Sequence, residues 1–426
     1  MDIVVQNMPL TGAVTVPSSK SFVHRQLIAA ALAQGETVIR FRGISKDIEA
    51  SAGCIRALGG GCEYLPADAC GEETLRVSPI TAPVPGALLD CGESGSTARF
   101  FLPVAAAVYT ALTGTAELSL TGSGRLPGRP MADLCGALRA HGCAVSADSL
   151  PLSVTGTLAG GEYTLPGNVS SQYITGLQLA LPLLKEASTL QLTTAAVSVG
   201  YLDITAAVLV QFGVTVEKYE QNGLCGWRIP GGQRYTSPGT VAAEGDWSNA
   251  AFWLCADAIL RGCGGAGMTV RGLNPASVQG DRAVLQAIAA ITAPGDTVLD
   301  VDAIPDLVPV LAVLAAAQQK NTTFANAARL RIKESDRIAA TRALLQSLGG
   351  AASETVDTLT VHGTGCLRGG TADGANDHRI VMAAAVAALL CQTPVTIIGA
   401  QAVQKSYPAF FADWRALGGA YTELTR

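Results

Sequence analysis

Five stretches of this chain close in the same way. Ile55-Arg-Ala-Leu-Gly59, Leu138-Arg-Ala-His-Gly142, Leu209-Val-Gln-Phe-Gly213, Leu345-Gln-Ser-Leu-Gly349 and Trp414-Arg-Ala-Leu-Gly418 each end a helix-like segment on a glycine. A glycine just past a helix takes the left-handed conformation without a Cβ penalty, so it stops the helix and turns the chain. Alternating strand-like residues follow, as in Val214-Thr-Val-Glu-Lys-Tyr219. Clear neighbours lie roughly seventy to eighty residues apart, and a weaker sixth copy fits near Ile288–Asp300. Units this long are unlike the short repeats of a rod. They predict about six α/β units gathered into compact halves.

Size agrees with that reading, since 426 residues are too many for one ordinary core. With 49% apolar and 15% charged residues, the chain has ample surface to bury and too few charges for disorder. The best linker is Tyr235-Thr-Ser-Pro-Gly239, a run of turn residues after the strand-like Gly226-Trp-Arg-Ile229. Composition alone therefore splits the chain at about residue 238.

A net charge of −5 argues against a nucleic-acid or anionic-membrane partner, but not against a small anion met by a few converging cations. The longest apolar runs, around Phe100–Leu112, Leu307–Ala317 and Ile380–Leu390, are too short to span a bilayer. Met1-Asp2-Ile3 opens no basic or long apolar leader, so a cytoplasmic protein is expected. The 11 cysteines form no C-x-x-C pair, and His24, His141, His362 and His378 show no ligand spacing. Neither a disulfide framework nor a metal site is expected.

The scarce charges are clustered. Arg331-Ile-Lys-Glu-Ser-Asp-Arg337 holds three cations and two carboxylates in one short run. Ser335 is the expected N-cap and Asp336 the first-turn acid of a helix that runs through Ile338, Leu344 and Leu348 to Gly349. Pro17-Ser-Ser-Lys-Ser21 sets hydroxyls and an ammonium in a turn before a helix bearing His24 and Arg25, whose N-terminus suits an anion. In Cys91-Gly-Glu-Ser-Gly-Ser-Thr-Ala-Arg99, glycines permit close backbone approach, and Ser96, Thr97 and Arg99 offer donors. The G-K-[ST] ending of a nucleotide loop is missing there. A second Gly-rich loop, Thr121–Pro130, displays Arg125 and Arg129. Val169-Ser-Ser-Gln-Tyr173 offers neutral donors, and Asp306 follows Ile304-Pro305 in an apolar setting that leaves a lone carboxylate to be explained. Asn376-Asp-His-Arg379 opens one helix, and Lys405-Ser-Tyr-Pro408 precedes the last.

Pro17–Arg25, Glu93–Arg99, Ser170–Gln172, Arg331–Arg337, Asn376–Arg379 and Lys405–Pro408, in this order, resemble the enolpyruvyl transferase family over nearly the whole chain. The pairing of K-E-S-D-R with N-D-H-R points to the branch that uses shikimate 3-phosphate. The resemblance implies an α/β fold with mixed α+β sheets, two globular halves of three βαβαββ units each, in an inside-out α/β barrel-like arrangement. It puts the N-terminal strand with the C-terminal half. Residues 19–238 then form one half, mainly the shikimate 3-phosphate side, and 1–18 with 239–426 form the other, mainly the phosphoenolpyruvate side. Two crossing strands, near Ser18 and Pro238, serve as the hinge.

The implied reaction moves the enolpyruvyl group of phosphoenolpyruvate to the 5-hydroxyl of shikimate 3-phosphate and releases phosphate through a tetrahedral intermediate. It needs no cofactor and no metal. By motif position the resemblance implies Ser21, Arg25, Ser170, Ser171, Gln172, Tyr201 and Lys333 as shikimate 3-phosphate ligands. It implies Lys20, Gly95, Arg125, Gln172, Arg337, Arg379 and Lys405 as the phosphoenolpyruvate set. Asp306 resembles the carboxylate that accepts the hydroxyl proton, while Glu334 and Lys20 are both candidates for handling the methylene proton. Glu93 and Arg329 stand where many relatives have Asn. The implied partners are the two small substrates, with no nucleic acid and no membrane, and the chain is expected to be a monomer. Two alternatives stand beside this reading. One is the UDP-N-acetylglucosamine branch, whose loop cysteine is missing from Gly122–Pro130 and whose Lys-Asn pair is Lys20-Ser21 here. The other is a non-catalytic anion-binding protein on the same scaffold.

Overall fold

The computed structural model describes residues 1–66 and 72–424. The chain divides into two units, Lys20–Ala243 and Met1–Ser19 with Glu244–Arg426, referred to below as the middle and terminal units.

One pattern recurs in both. In the middle unit, Ala87–Asp90 pairs parallel with Ala116–Thr121, which pairs antiparallel with Leu152–Gly156, itself antiparallel to Cys143–Val145. The helix Gly95–Thr113 makes the parallel crossover, and Ala132–Ala140 leads into the hairpin. The same order is met in Glu162–Leu165, Ser188–Leu192, Leu224–Ile229 and Glu217–Gln221. It is met again in Thr240–Ala242, Thr37–Phe41, Glu73–Ser78 and Gly61–Leu65. The terminal unit has two such sheets. The first orders Thr297–Asp300, Asn321–Ala325, Leu359–His362 and Ala351–Glu354. The second orders Gly370–Asp373, Val395–Ile398, Asp2–Val5 and Tyr421–Leu424. In it the N-terminal strand fills a hairpin position, with Ile3 opposite Ile397 and Val4 opposite Thr422.

The sixth unit differs from the sequence expectation. Gly12–Thr15 pairs parallel with Met268–Arg271, and the helices Trp247–Gly262 and Val284–Thr292 accompany them. After the second helix and Gly295 the chain enters Thr297–Asp300, which is already the first strand of the next sheet. The closing hairpin of this unit is missing among the described residues, which is why its sequence copy is weak. The Pro238-Gly239 turn likewise lies inside the middle unit, because Thr240–Ala242 extends the sheet of Thr37–Phe41 before the chain leaves after Ala243.

The five repeat glycines all have left-handed φ: 95° at Gly59, 91° at Gly142, 72° at Gly213, 86° at Gly349 and 93° at Gly418. Each unit has its own core. Helices apolar all round occupy the centres, as Val308–Ala316 does with every residue buried. In the terminal unit Trp253 stacks on Phe410 at 4.8 Å beside Tyr407 and Trp414. Leu89, Phe101, Leu118 and Ile174 belong to the middle core.

Candidate active site

The charged run 331–337 is folded as a bend between two helical pieces. A 3-10 turn, Ala328–Ile332, ends at Lys333 in extended backbone, and the helix Arg337–Ser347 begins after Asp336. Asp336, rather than the expected Ser335, is the N-cap, its Oδ1 accepting from the Ala339 amide at 3.1 Å. Ser335 is engaged elsewhere, donating to Asp377 Oδ2 at 2.9 Å. Arg331 ties Asp336 at 2.8 Å and the Val356 carbonyl at 3.0 Å, so this cation braces the bend.

Arg337 is the hub. Its Nε donates to Asp377 Oδ2 at 2.8 Å, Nη1 to Asp306 Oδ1 at 2.6 Å and Nη2 to Glu334 Oε2 at 2.7 Å. Burial opposes its charge, but the carboxylates of Asp377, Glu334 and Asp306 outweigh burial and hold the guanidinium well above its ordinary pKa. Burial also opposes ionisation of Asp377, where Arg337 and His378 prevail and the carboxyl stays below the usual range. Asp377 caps the helix His378–Ala387, with its Oδ1 accepting from the Arg379 amide at 2.9 Å. One buried acid thus fixes both the hub and the helix that carries Arg379.

Asp306 sits on the short turn Pro305–Leu307 ahead of the buried helix Val308–Ala316. Besides Arg337 it meets Lys333 Nζ at 3.5 Å and Arg379 Nη2 at 3.5 Å. The lone carboxylate of the sequence is therefore surrounded by three cations. Burial lowers the pKa of Lys333, with Asp306 working against that shift. Arg379 also donates from Nη1 to the Ser248 carbonyl at 3.1 Å. Lys405 donates to the Asn376 carbonyl at 2.7 Å, in a turn where Ala375 and Asn376 have φ of 51° and 50°.

The middle unit carries the other expected residues, most of them at or near the starts of four helices. Lys20 begins Lys20–Leu32 and pairs with Asp47 at 2.8 Å. Ser170 caps Ser171–Ala180, its hydroxyl accepting from the Gln172 amide at 3.3 Å. Gln172 accepts from Arg99 at 2.7 Å and donates to Ser96 at 2.9 Å, so its amide is oriented at both ends. Arg25 is buried, bonding Thr205 at 2.7 Å and the carbonyls of Ser21 at 2.8 Å and Tyr201 at 3.0 Å. It braces the segments that present Ser21 and Tyr201. Burial draws its guanidinium down to about 9, which leaves it cationic at neutral pH.

Gly95 opens the helix Gly95–Thr113, and a Cβ there would lie 2.6 Å from Arg129 Nη1 and 3.0 Å from Arg99 Nη1. Arg129 is thus the loop arginine against Gly95, whereas Arg125 stands exposed on the same loop. Glu93 lies over Gly124, where an added Cβ would be 2.5 Å from its Oε2, so this carboxylate packs on the arginine-bearing loop. Arg329 Nη1 approaches Asp302 Oδ1 at 3.4 Å.

Sequence reading missed Asp377, Asp47 and the Arg99–Gln172 contact as organisers, because each pairs with a residue far along the chain. Arg129 had a signal, since it shares its loop with Arg125. Among the described residues no group of His, Cys, Asp and Glu could hold a metal ion, and no helix is long and apolar enough to cross a membrane. What the arrangement offers is anion binding by several oriented cations, with two carboxylates, Asp306 and Glu334, held among them.

Residues 4–414 match the EPSP synthase (3-phosphoshikimate 1-carboxyvinyltransferase) family. The chain is 38% identical to the 3-phosphoshikimate 1-carboxyvinyltransferase of Clostridium kluyveri, over 97% of this chain and 96% of the relative. It is 37% identical to that of Clostridium acetobutylicum, with 96% of each covered. The fold is similar to that of an EPSP synthase from Acinetobacter baumannii, with a TM-score of 0.77 at 23% identity, covering 99% of this chain and 100% of the other. It is equally similar to the enolpyruvyl transferase NikO from Streptomyces tendae, with a TM-score of 0.77 at 18% identity, covering 100% and 99%.

Proposed function

The chain belongs to the EPSP synthase family, and on that premise we propose how its residues divide the work of the reaction. The enzyme transfers the enolpyruvyl group of phosphoenolpyruvate to shikimate 3-phosphate and releases phosphate. Oxygen of the 5-hydroxyl bonds to C2 while C3 gains a proton. Loss of a C3 proton then expels phosphate and restores the double bond.

The observation that carries the residue assignment is the cluster in which Lys333, Arg337 and Arg379 converge on Asp306. Both substrates are polyanions, and preorganised cations stabilise them and the departing phosphate without reorganising. Arg337, Arg379 and Lys405, with Lys20, Gly95, Arg125 and Gln172, take phosphoenolpyruvate. Ser21, Arg25, Ser170, Ser171, Gln172, Tyr201 and Lys333 take shikimate 3-phosphate. Asp306 accepts the 5-hydroxyl proton, and the surrounding cations keep its charge compensated. Glu334 is bonded to Arg337, so it serves as an acid only after taking up a proton during turnover, and Lys20 is the other candidate for the methylene carbon. The reading extends to a cytoplasmic monomer without nucleic-acid or membrane partners, and the net charge of −5 supports the absence of those two partners.

The test is phosphate release from phosphoenolpyruvate with shikimate 3-phosphate and, separately, with UDP-N-acetylglucosamine. Only the first should be turned over. Asp306→Asn keeps the shape and removes the base, so kcat should fall by roughly two decades or more with binding largely kept. Near-normal kcat would assign the proton to another group.

A further inference from the structure

Arg25 and Arg337 are both buried cations, but their partners differ. Arg337 is surrounded by carboxylates. Arg25 is 2% exposed, a depth at which a guanidinium ordinarily faces an acid. Among the described residues it has no acidic partner, and every hydrogen bond it makes goes to a neutral oxygen. Nε donates to Thr205 Oγ1 at 2.7 Å, and Nη1 to the Ser21 carbonyl at 2.8 Å. Nη2 donates to Thr175 Oγ1 at 3.2 Å and to the Tyr201 carbonyl at 3.0 Å. The two threonines are fully buried, with their hydroxyl oxygens 2.9 Å apart. Thr205 donates to the Tyr201 carbonyl at 3.0 Å, so within the pair its oxygen accepts and Thr175 donates. Thr175 lies on the helix Ser171–Ala180 and Thr205 on Gly200–Gln211, while Arg25 belongs to Lys20–Leu32. The contact therefore joins the three helices that carry Ser21, Ser171 with Gln172, and Tyr201.

We propose that Thr175 and Thr205 are positioning residues, whose paired hydroxyls orient the Arg25 guanidinium so that its last N–H and its charge serve shikimate 3-phosphate. A guanidinium has five N–H donors, and the four bonds above leave one N–H on Nη1. A carboxylate in place of the threonines would fix the same geometry but cancel the charge. Two hydroxyls fix it and leave the charge to an anionic ligand. The Phe100 ring lies 5.0 Å from the guanidinium carbon and gives its face contact without direction. Direction comes from the hydrogen bonds, and of the four acceptors only the two hydroxyls are set by residue identity. A methyl group in place of Thr205 Oγ1 leaves the buried Nε–H without an acceptor, and the guanidinium loses its aim.

This role depends on the assignment of Arg25 to shikimate 3-phosphate, and the experiment separates the two. Steady-state kinetics are compared for wild type, Thr205→Val, Thr205→Ser, Arg25→Gln and the double variant Arg25→Gln with Thr205→Val. Thr205→Val should raise KM for shikimate 3-phosphate by about tenfold, with kcat and KM for phosphoenolpyruvate within about twofold. Thr205→Ser keeps the oxygen and should hold KM within about twofold of wild type. In the Arg25→Gln background Thr205→Val should add less than about twofold, because the group it positions is gone. The role of the threonines is overturned if Thr205→Val leaves KM for shikimate 3-phosphate unchanged, or impairs both substrates and kcat alike. It is overturned equally if Thr205→Ser is as impaired as Thr205→Val, or if the full loss persists without Arg25. If Arg25→Gln alone leaves KM for shikimate 3-phosphate unchanged, the assignment of Arg25 fails instead. Should Thr205→Val not fold, Thr175→Val carries the test, since it removes the Nη2 acceptor and the donor that orders Thr205. It should raise KM for shikimate 3-phosphate by about threefold or more, and Thr175→Ser should restore it. A wild-type KM in Thr175→Val overturns the proposal.

Discussion

Arg337 is bonded to three carboxylates at 1% side-chain exposure, so its removal leaves Asp306, Glu334 and Asp377 repelling one another in a buried setting. Arg337→Gln should lower unfolding stability by about 3–5 kcal/mol, read by urea denaturation, because unpaired buried charge dominates the loss. Arg337→Lys keeps the charge but not the fork, and should recover only part of it. His24 gives the opposite kind of prediction. Burial, then Lys20 and Arg25, hold its pKa well below 6.5, and it stays in contact with Ser51 at 2.7 Å. Below about pH 6.5 the unfolded chain binds a proton that the fold refuses, so stability falls with pH at up to about 1.4 kcal/mol per unit. His24→Gln retains a polar partner for Ser51 and cannot protonate, so this part of the slope should vanish. An unchanged slope between about pH 7 and 5 would place the acid loss on other groups. At this scale the sequence exposes much of the site, because charges are scarce and their clustering is conspicuous. It does not expose which charges meet. Asp377 lies forty residues from Arg337, and nothing in Asn376-Asp-His-Arg379 distinguishes a buried acid from a solvated helix start.

Elements are legible where one local conformation decides them. The glycine after each helix is required by its φ, and two of the five allow this to be measured. At Gly142 a Cβ would lie 2.4 Å from the Thr157 carbonyl, whereas at Gly418 the nearest atom is 3.9 Å away. Gly418→Ala should cost about 1 kcal/mol, the left-handed penalty alone. Gly142→Ala should cost about 1–3 kcal/mol more, since backbone must move, and thermal unfolding of the two variants tests the difference. Equal losses would mean that the carbonyl contact relaxes freely. Elements are less legible where two local solutions compete. Ser335 and Asp336 are both good caps, and the choice is made by Asp377, which takes the Ser335 hydroxyl. The missing hairpin of the sixth unit is of the same kind. Gly295 marks a helix end truly, with φ 84°, but pairing with Asn321–Ala325 gives the next strand to another sheet.

Over the whole molecule, the buried hydrophobic residues fall into two clusters, one confined to the middle unit and the other to the terminal unit. The terminal cluster draws on both chain ends, as Ile3, Val5, Leu10, Val14 and Val16 pack with residues from Trp247 to Leu417. Folding of that unit therefore requires contacts across nearly the full sequence, while the middle unit is continuous in sequence. Two cores of this kind should unfold as two calorimetric transitions. Leu89→Ala, fully buried in the middle core, should lower one transition by the equivalent of about 2–5 kcal/mol and leave the other in place. Leu311→Ala, fully buried in the terminal core, should lower the other. Shikimate 3-phosphate alone provides the cross-check. All but one of its proposed ligands lie in the middle unit, so it should raise chiefly the transition that Leu89→Ala lowers, by about 2.7 kcal/mol at a hundredfold excess over Kd. If both core variants shift one common transition by similar amounts, the units unfold together and the two clusters do not act as separate cores. If the transitions separate but the ligand raises only the one that Leu311→Ala lowers, the residues assigned to shikimate 3-phosphate lie in the wrong unit.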